Sequence, residues 1–283
     1  MWRGTGKVSE APGLRENARD TVRQPTPADS SAETETFMSV VVDQPRTHVM
    51  RIRLDAPEVR NAISQAMALE LEAAITRCGG DPELKVLVIT GTDPAFCAGV
   101  DLRDISAGRR VPMRFFDLLA AFPKPIIGAI NGVAATGGFE LALACHLRVG
   151  SPSSVFVDRH AQLGMVAGGG MSVRLSRLVG MGNALEISLT GRKVGSAEAF
   201  EKGLLNHVVD HALLDETALD LADTMATVDG ELSRLIVGLY RENGELPFAE
   251  ALKAERVAAD EWRDRRDRSG ALENFKALKE RSG

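Results

Sequence analysis

The stretch that decides the fold runs from Pro125 to Leu143 and reads PIIGAINGVAATGGFELAL. Its first part, residues 125–130, is an apolar run typical of a strand buried on both faces of a parallel sheet. Asn131-Gly132 ends this strand, and Gly137-Gly138 precedes a helical segment. A strand, a glycine-containing loop and a helix in this order indicate a βαβ crossover, and therefore an α/β fold.

The same pattern continues on both sides of this stretch. Residues 84–90 form another apolar run, and shorter runs lie near residues 146–149 and 154–157. Upstream, residues 39–42 and 49–54 are rich in β-branched side chains and predict an antiparallel hairpin. Helical patterns separate the apolar runs, so the sequence predicts repeated crossovers in a layered α/β domain.

The two ends of the chain differ from this middle part. Residues 1–36 are polar, contain proline and lack periodicity, so we expect a disordered leader. From Met171 onward the periodicity is helical, and we expect no further strands. We therefore expect an α/β core over residues 37–210 and a helical subdomain over residues 211–283.

Composition and charge exclude several classes of protein. The chain of 283 residues is 44% hydrophobic and 26% charged, which is ordinary for a globular protein. Its net charge of −5 lacks the broad basic footprint of a nucleic-acid binder. No apolar run approaches the ~18 residues of a membrane span. Three cysteines at no metal-ligand spacing argue against a disulfide framework and a zinc site, and favour the cytoplasm.

Two loops, residues 96–101 and 134–140, are each predicted to lead from a strand into a helix. Backbone N–H groups near Val100 and Gly137 should then lack intrahelical partners and can bind an oxyanion. Glu140 lies one helical turn beyond Gly137, on the same face, among apolar neighbours that would raise its pKa and suit a general acid or base. The alternatives are that the glycines only make tight turns and that Glu140 only complements the helix dipole.

Five motifs in order carry a resemblance to a known family. They read NAIS at 61–64, FCAGVDL at 96–102, PKPIIGAING at 123–132, GGFELALAC at 137–145 and LGMV at 163–166. In this order they resemble motifs of the enoyl-CoA hydratase/isomerase (crotonase) family. The resemblance implies an α/β fold with a ββα spiral core and a C-terminal helical subdomain that mediates trimers or dimers of trimers. It also implies an acyl-CoA thioester substrate, with coenzyme A as part of the substrate, no other cofactor and no metal.

The resemblance also implies roles for individual residues. Val100 and Gly137 would supply the two N–H groups of an oxyanion hole, and Glu140 would be a catalytic residue. Arg103 matches a position where a basic residue meets a CoA phosphate. The residues expected to bind CoA are Asn61, Ala62, Ala98, Asp101, Leu102 and Arg103.

The sequence departs from the hydratase pattern at one position. Hydratases of the family pair the residue matching Glu140 with a second glutamate shortly before the Leu-Gly motif, where this chain has His160. An unperturbed imidazole titrates near ~6.5, so His160 could hold or deprotonate water, or it could be structural. If this segment is extended, Asp158 should point the opposite way.

These residues and motifs leave three functions open. Glu140 with His160 predicts an enoyl-CoA hydratase, which adds water reversibly to a 2-enoyl-CoA. Glu140 alone would suffice for an enoyl-CoA delta-isomerase. The third hypothesis is a non-catalytic acyl-CoA binding subunit that retains the oxyanion loops. We expect no nucleic-acid or membrane partner.

Overall fold

The computed structural model describes residues 35–36 and 39–265, and these form eleven strands and ten helices besides three 3-10 turns. The strands are β1 (Glu35–Thr36), β2 (Val40–Arg46), β3 (Val49–Leu54), β4 (Val86–Gly91), β5 (Ala95–Cys97), β6 (Ile126–Ile130), β7 (Val133–Ala135), β8 (Leu147–Gly150), β9 (Val155–Val157), β10 (Lys193–Gly195) and β11 (His207–Val208). The helices are α1 (Gln65–Gly80), α2 (Leu102–Ser106), α3 (Arg114–Ala120), α4 (Gly137–Ala144), α5 (Met171–Val179), α6 (Met181–Thr190), α7 (Ser196–Glu201), α8 (Leu214–Ala226), α9 (Gly230–Asn243) and α10 (Phe248–Arg265).

Two sheets share the strands, and the chain passes between them repeatedly. The larger sheet has the order β1-β2-β3-β4-β6-β8-β11 and is parallel from β3 onward. The smaller sheet has the order β10-β9-β7-β5, with β5, β7 and β9 parallel. Each of β4, β6 and β8 in the larger sheet is followed along the chain by one strand of the smaller sheet. This repetition confirms the predicted α/β spiral core.

The larger sheet is buried on both faces, as its apolar runs predict. All residues of β4 and β6 are buried. Leu87 and Ile89 of β4 join the core under α1, α3 and α4, whereas Val86 and Val88 pack with α8 on the opposite face. Alternation along the strand therefore assigns successive side chains to two different hydrophobic clusters.

The first helix shows why the local sequence folds as it does. Ser64 is its N-cap, and the Ser64 hydroxyl accepts a hydrogen bond from Met67 N at 3.1 Å. Met67, Leu71 and Ile75 follow at helical spacing and are buried in the core. The capping hydroxyl and the apolar spacing therefore determine where α1 begins and which of its faces is buried.

The expectation of no strands after Met171 is wrong. β10 pairs antiparallel with β9, and β11 pairs parallel with β8. Both strands are short, and in β10 only Val194 is buried, so no local pattern marks them. Their partners lie tens of residues upstream, where single-sequence periodicity carries no signal.

The ends of the described chain bear on the expected domain limits. Glu35 and Thr36 pair with Val42 and Val41 in the larger sheet, so two residues assigned to the leader belong to a strand. The rest of the proposed leader, residues 1–34, lies outside the described residues, as do residues 266–283. The expected boundary between core and helical subdomain, at residues 210 and 211, stays a prediction. The first helix after it, α8, packs directly on the larger sheet.

The last two described helices, α9 and α10, leave most of their side chains exposed or only partly buried. Neither α9 nor α10 contains a buried residue, and Tyr240 and Phe248 are 83% and 84% exposed. Of the helices described, none is long and apolar enough to cross a membrane.

Gly138 is one of the positions where the packing of the backbone leaves no room for a side chain. A Cβ atom built on Gly138 would lie 2.1 Å from the carbonyl oxygen of Cys97, which belongs to the backbone of β5. We predict that Gly138→Ala lowers the free energy of unfolding by about 1–3 kcal/mol, as overpacking in a core does. Thermal and urea unfolding measure this.

Gly182 in α6 provides the matched control for this substitution. A Cβ atom on Gly182 would meet nothing within 4 Å. Gly182→Ala should therefore leave stability unchanged or raise it by up to ~1 kcal/mol, through helix propensity. Equal stability of the Gly138→Ala variant and the wild type would contradict the close packing of α4 on β5.

Candidate active site

Two backbone N–H groups meet where β5 and β7 end. The strands are parallel neighbours, so their carboxyl ends lie at one edge of the smaller sheet. A Cβ atom built on Gly137 would lie 3.4 Å from the nitrogen of Val100, which places the two N–H groups side by side. Neither N–H has an acceptor among the described residues. This pair can therefore bind an oxyanion.

The hydrogen bonds and dihedral angles of the neighbouring backbone determine the direction of these two N–H groups. Ile63 N donates to Gly99 O at 2.7 Å, and Asp101 N donates to Ile63 O at 2.9 Å. Between these two bonds, the N–H of Val100 is turned away from Ile63, as alternation along an extended segment requires. Thr136, immediately before Gly137, has a φ of 52°, an uncommon value for a residue with a side chain. This strained turn starts α4 with Gly137 at its first position.

Glu140 is in the first turn of α4, and its side chain has no exposed surface. One carboxyl oxygen, Oε1, accepts hydrogen bonds from Gly169 N at 2.6 Å and from Met171 N at 3.2 Å. The other oxygen, Oε2, is buried and has no hydrogen-bond partner among the described residues. Burial raises the pKa of Glu140, although the two N–H groups and His160 oppose the shift.

His160 faces the free oxygen of Glu140 and is held from behind by Asp158. Its Nε2 lies 3.7 Å from Glu140 Oε2, and its Nδ1 lies 2.7 Å from Asp158 Oδ1. Burial disfavours the imidazolium, but the hydrogen bond and the charge of Asp158, with the charge of Glu140, raise the pKa of His160. Burial also disfavours the Asp158 carboxylate, yet its hydrogen bonds to His160 lower its pKa.

Asp158 would point away from His160 only in an extended segment, and the segment is not extended here. β9 ends at Val157, and the next residues form a turn in which His160 N donates to Asp158 Oδ1 at 3.0 Å. This Asx-type turn brings the carboxylate onto the imidazole. An ionised carboxylate only accepts hydrogen bonds, so Nδ1 carries a proton, and in the neutral form of the ring Nε2 has its lone pair toward Glu140.

The carboxyl and the imidazole can share one proton. Their facing atoms are 3.7 Å apart, too far for a direct hydrogen bond but suited to a bridging water. Burial favours the neutral form of Glu140, while Asp158 favours the charged form of His160. Wherever the shared proton resides, the pair contains one acid and one base.

The residues expected to bind CoA lie on two adjoining loops. Ala98 N donates to Arg60 O at 3.0 Å, which holds the segment containing Ala62 against the segment from Ala98 to Arg103. Ala62 and Ala98 are partly buried. The structure therefore brings together the loops predicted to line CoA, and the ligand role of these residues stays a prediction.

Asn61 and Asp101 hold these loops rather than facing outward. Asn61 is fully buried, accepts a hydrogen bond from Ala56 N and donates to Ala95 O. Asp101 caps α2 through Arg103 N and pairs with the Arg103 guanidinium at 2.6 Å. The Arg103 side chain is 69% exposed and Leu102 is 55% exposed, so both can reach a ligand.

Sequence reasoning missed the clamp on Glu140. Its donors, Gly169 and Met171, lie 29 and 31 residues from Glu140 along the chain. The sequence signal was the glycine run at 168–170 just before α5, since N–H groups at a helix start are free to bind a carboxylate.

A cavity of about 980 Å³ lies beside this loop and is lined by Phe116 and Arg174 among others. Glu140 and His160 do not line this cavity. Among the described residues, no group of three or more His, Cys, Asp or Glu is placed to hold a metal ion.

Comparison with known proteins gives consistent matches. The family model for enoyl-CoA hydratase/isomerase matches residues 45–281. Mevalonyl-coenzyme A hydratase sidH of Aspergillus fumigatus is 32% identical over 235 residues, covering 80% of this chain and 86% of that protein. Enoyl-CoA hydratase EchA19 of Mycobacterium tuberculosis is 32% identical over 221 residues, covering 74% and 83%. A crystal structure of enoyl-CoA hydratase from Bacillus anthracis aligns with a TM-score of 0.80 at 31% identity, covering 85% of this chain and 97% of that one.

The contact between Asp158 and His160 can be tested without turnover. We predict that Asp158→Asn lowers the pKa of His160, because the substitution removes the negative charge that favours the imidazolium. A pH titration of the histidine ring signals by NMR measures this, and the chain has five histidines to assign. Asp93→Asn, which removes the carboxylate beside His211 instead, is the control and should leave His160 unchanged. An unshifted His160 in Asp158→Asn would contradict the described contact.

Proposed function

The chain belongs to the enoyl-CoA hydratase/isomerase family, and from this premise we propose that it adds water reversibly to the double bond of 2-enoyl-CoA thioesters. The observation that carries the proposal is the buried Glu140 Oε2, which faces His160 Nε2 at 3.7 Å and lacks a partner among the described residues. Those two atoms mark the place for the reacting water.

The thioester oxygen would lie between the N–H groups of Val100 and Gly137. Addition of water at the β-carbon moves negative charge onto this oxygen as an enolate, and the two N–H groups are oriented before the charge forms. One such donor is typically worth about 3 to 4 kcal/mol of transition-state stabilisation. Arg103 and the loops at Ala62 and Ala98 would hold CoA, with the guanidinium meeting a phosphate.

The proton steps divide between the two side chains. His160 Nε2 takes a proton from water as the water oxygen bonds to the β-carbon, and the electrons of the double bond move into the enolate. Protonated Glu140 then gives its proton to the α-carbon. The imidazolium then returns a proton to Glu140 Oε2 through the next water, which restores the site. Asp158 stabilises the imidazolium during this cycle.

Isomerisation and simple binding are the alternatives. An isomerase would use Glu140 alone to move a proton, and a binding subunit would need neither side chain. The dyad of Asp158 and His160 favours hydration, since neither alternative requires an imidazole aimed at Glu140.

Finer properties belong to the same proposal. We place the protein in the cytoplasm, with no cofactor besides the CoA of its substrate and no nucleic-acid or membrane partner. We also propose a homotrimer or a dimer of trimers, supported by the exposed apolar side chains of α9 and α10.

A titration with 2-butenoyl-CoA tests the function. Loss of the conjugated thioester absorbance, with formation of the 3-hydroxy product, identifies hydration. Conversion of a 3-enoyl-CoA without hydration of 2-butenoyl-CoA would instead identify an isomerase. Binding of either thioester without conversion would indicate a non-catalytic acyl-CoA binding subunit.

We predict that Glu140→Gln lowers the rate of hydration about 10²–10⁴-fold with little change in CoA affinity, because the amide keeps the size but cannot transfer the proton. Exchange of the α-protons of butanoyl-CoA in deuterated buffer should fall by a similar factor. Full turnover in both assays would show that Glu140 is only a charge at the helix start.

We predict that His160→Ala lowers hydration more than it lowers α-proton exchange, because His160 serves the water and Glu140 serves the α-carbon. Both rates are measured as for Glu140→Gln. Equal losses in the two assays would overturn this division of roles.

We predict that the protein forms trimers or pairs of trimers at micromolar concentration, because α9 and α10 expose apolar side chains that a partner can cover. Light scattering coupled to size exclusion measures the mass. A stable monomer would contradict the prediction.

A further inference from the structure

The loop at residues 168–170 is in close contact with Phe116 on one side and Arg174 on the other. A Cβ atom on Gly169 would lie 2.6 Å from the ring of Phe116, so the ring packs closely against the backbone. A Cβ atom on Gly170 would lie 2.1 Å from Arg174 Nη1, and Gly170 has a φ of 105°. Phe116 and Arg174 therefore contact the loop where it has no side chains, and Gly169 N, together with Met171 N just after the loop, donates to Glu140.

Arg174 is bonded to this loop and not to a carboxylate. Its Nη1 donates to Gly169 O at 2.6 Å, and its backbone N donates to Gly170 O at 2.9 Å. Within residues 39–265, no carboxylate lies within ion-pair distance of Arg174. Burial lowers the pKa of Arg174, and the charge of Glu140 opposes that shift. A half-buried cation without an ion-pair partner costs free energy that an apolar side chain would not.

We propose that Arg174 is a positioning residue for Glu140, which holds the loop so that Gly169 N and Met171 N grip Oε1 and leave Oε2 to the substrate. The chain of contacts is continuous: Arg174 Nη1 binds Gly169 O, and Gly169 N binds Glu140 Oε1. The inference rests on the proposed function, and it names a residue that acts through the loop that holds Glu140 and is not part of the proposed oxyanion hole.

The charge of Arg174 acts in the same direction as its hydrogen bond. Among the described residues, the titratable groups that interact with Glu140 are His160 and Asp158 after β9 and Arg174 on α5, while α3 contributes the apolar Phe116 beside Gly169. Loss of the positive charge, and loosening of the two N–H groups, both favour protonated Glu140. Removal of Arg174 should therefore raise the pKa of Glu140 further.

Arg174→Met tests this with two independent readouts. The first is the infrared band of the protonated carboxyl that disappears in Glu140→Gln, titrated against pH in the full-length protein. Its midpoint should move to higher pH in Arg174→Met. The second is hydration of 2-butenoyl-CoA, where kcat should fall up to about 100-fold with little change in KM, as misplacement of a catalytic group does. The alkaline limb of the pH profile, where Glu140 loses the proton that it donates, should move to higher pH.

Arg177→Met is the matched control, because Arg177 lies one turn further along α5, is exposed and lines the same cavity. It should leave both readouts at wild-type values. Arg174→Ala adds a rescue: guanidinium ion, which can enter through the cavity of about 980 Å³, should restore part of kcat in this variant. It should not restore the activity of Glu140→Gln.

Unchanged infrared midpoint and kcat in Arg174→Met would overturn the proposal and leave Arg174 as a packing residue. If Arg174→Met does not fold, Arg174→Lys decides the question, because it keeps the charge but not the planar fork. In Arg174→Lys, a reduced kcat with a near-wild-type midpoint of the Glu140 infrared titration supports the proposal. An unchanged kcat in this variant overturns it. Since the infrared titration needs no turnover, a failure of the hydratase proposal would be seen separately, as absence of hydration by the wild type.

Discussion

The carboxyl group of Glu140 has no exposed surface, and the organisation of the site follows from the different hydrogen bonding of its two oxygens. Oε1 is gripped by Gly169 N and Met171 N, so the group cannot rotate freely. Oε2 is buried and unpaired among the described residues, which keeps it reactive. A buried carboxyl in this state is expensive, since an unsatisfied polar group in a core costs about 1–3 kcal/mol. Structures retain such a cost where function requires it.

The double sheet provides the rigid frame for this arrangement. β5, β7 and β9 are parallel neighbours, so their ends supply Val100, Gly137 and His160 at one edge. The larger sheet, packed on both faces, fixes the position of these ends. Parallel pairing therefore converts three distant segments of sequence into one site, as is usual at the carboxyl ends of parallel strands.

Much of this could be predicted from the sequence because the relevant signals are local. The apolar runs of β4 and β6 marked buried strands, and glycines next to Val100 and Glu140 marked the loops. Contacts between distant segments could not be predicted in the same way. The apolar run at 154–157 marked the end of β9, but periodicity carries no signal for the hydrogen bond from His160 N to the Asp158 side chain that forms the next turn. The grip on Glu140 joins residues about 30 positions apart.

Glu140 and His160 are proposed to act as one unit that shares a proton. A double-mutant cycle on hydration of 2-butenoyl-CoA tests this most directly, with kcat measured for Glu140→Gln, His160→Ala and the double variant. Groups that act as a unit give strongly non-additive effects. We predict that the double variant is no slower than the slower single variant. A double variant slowed by the product of the two single effects would contradict the shared proton, because the side chains would then act independently.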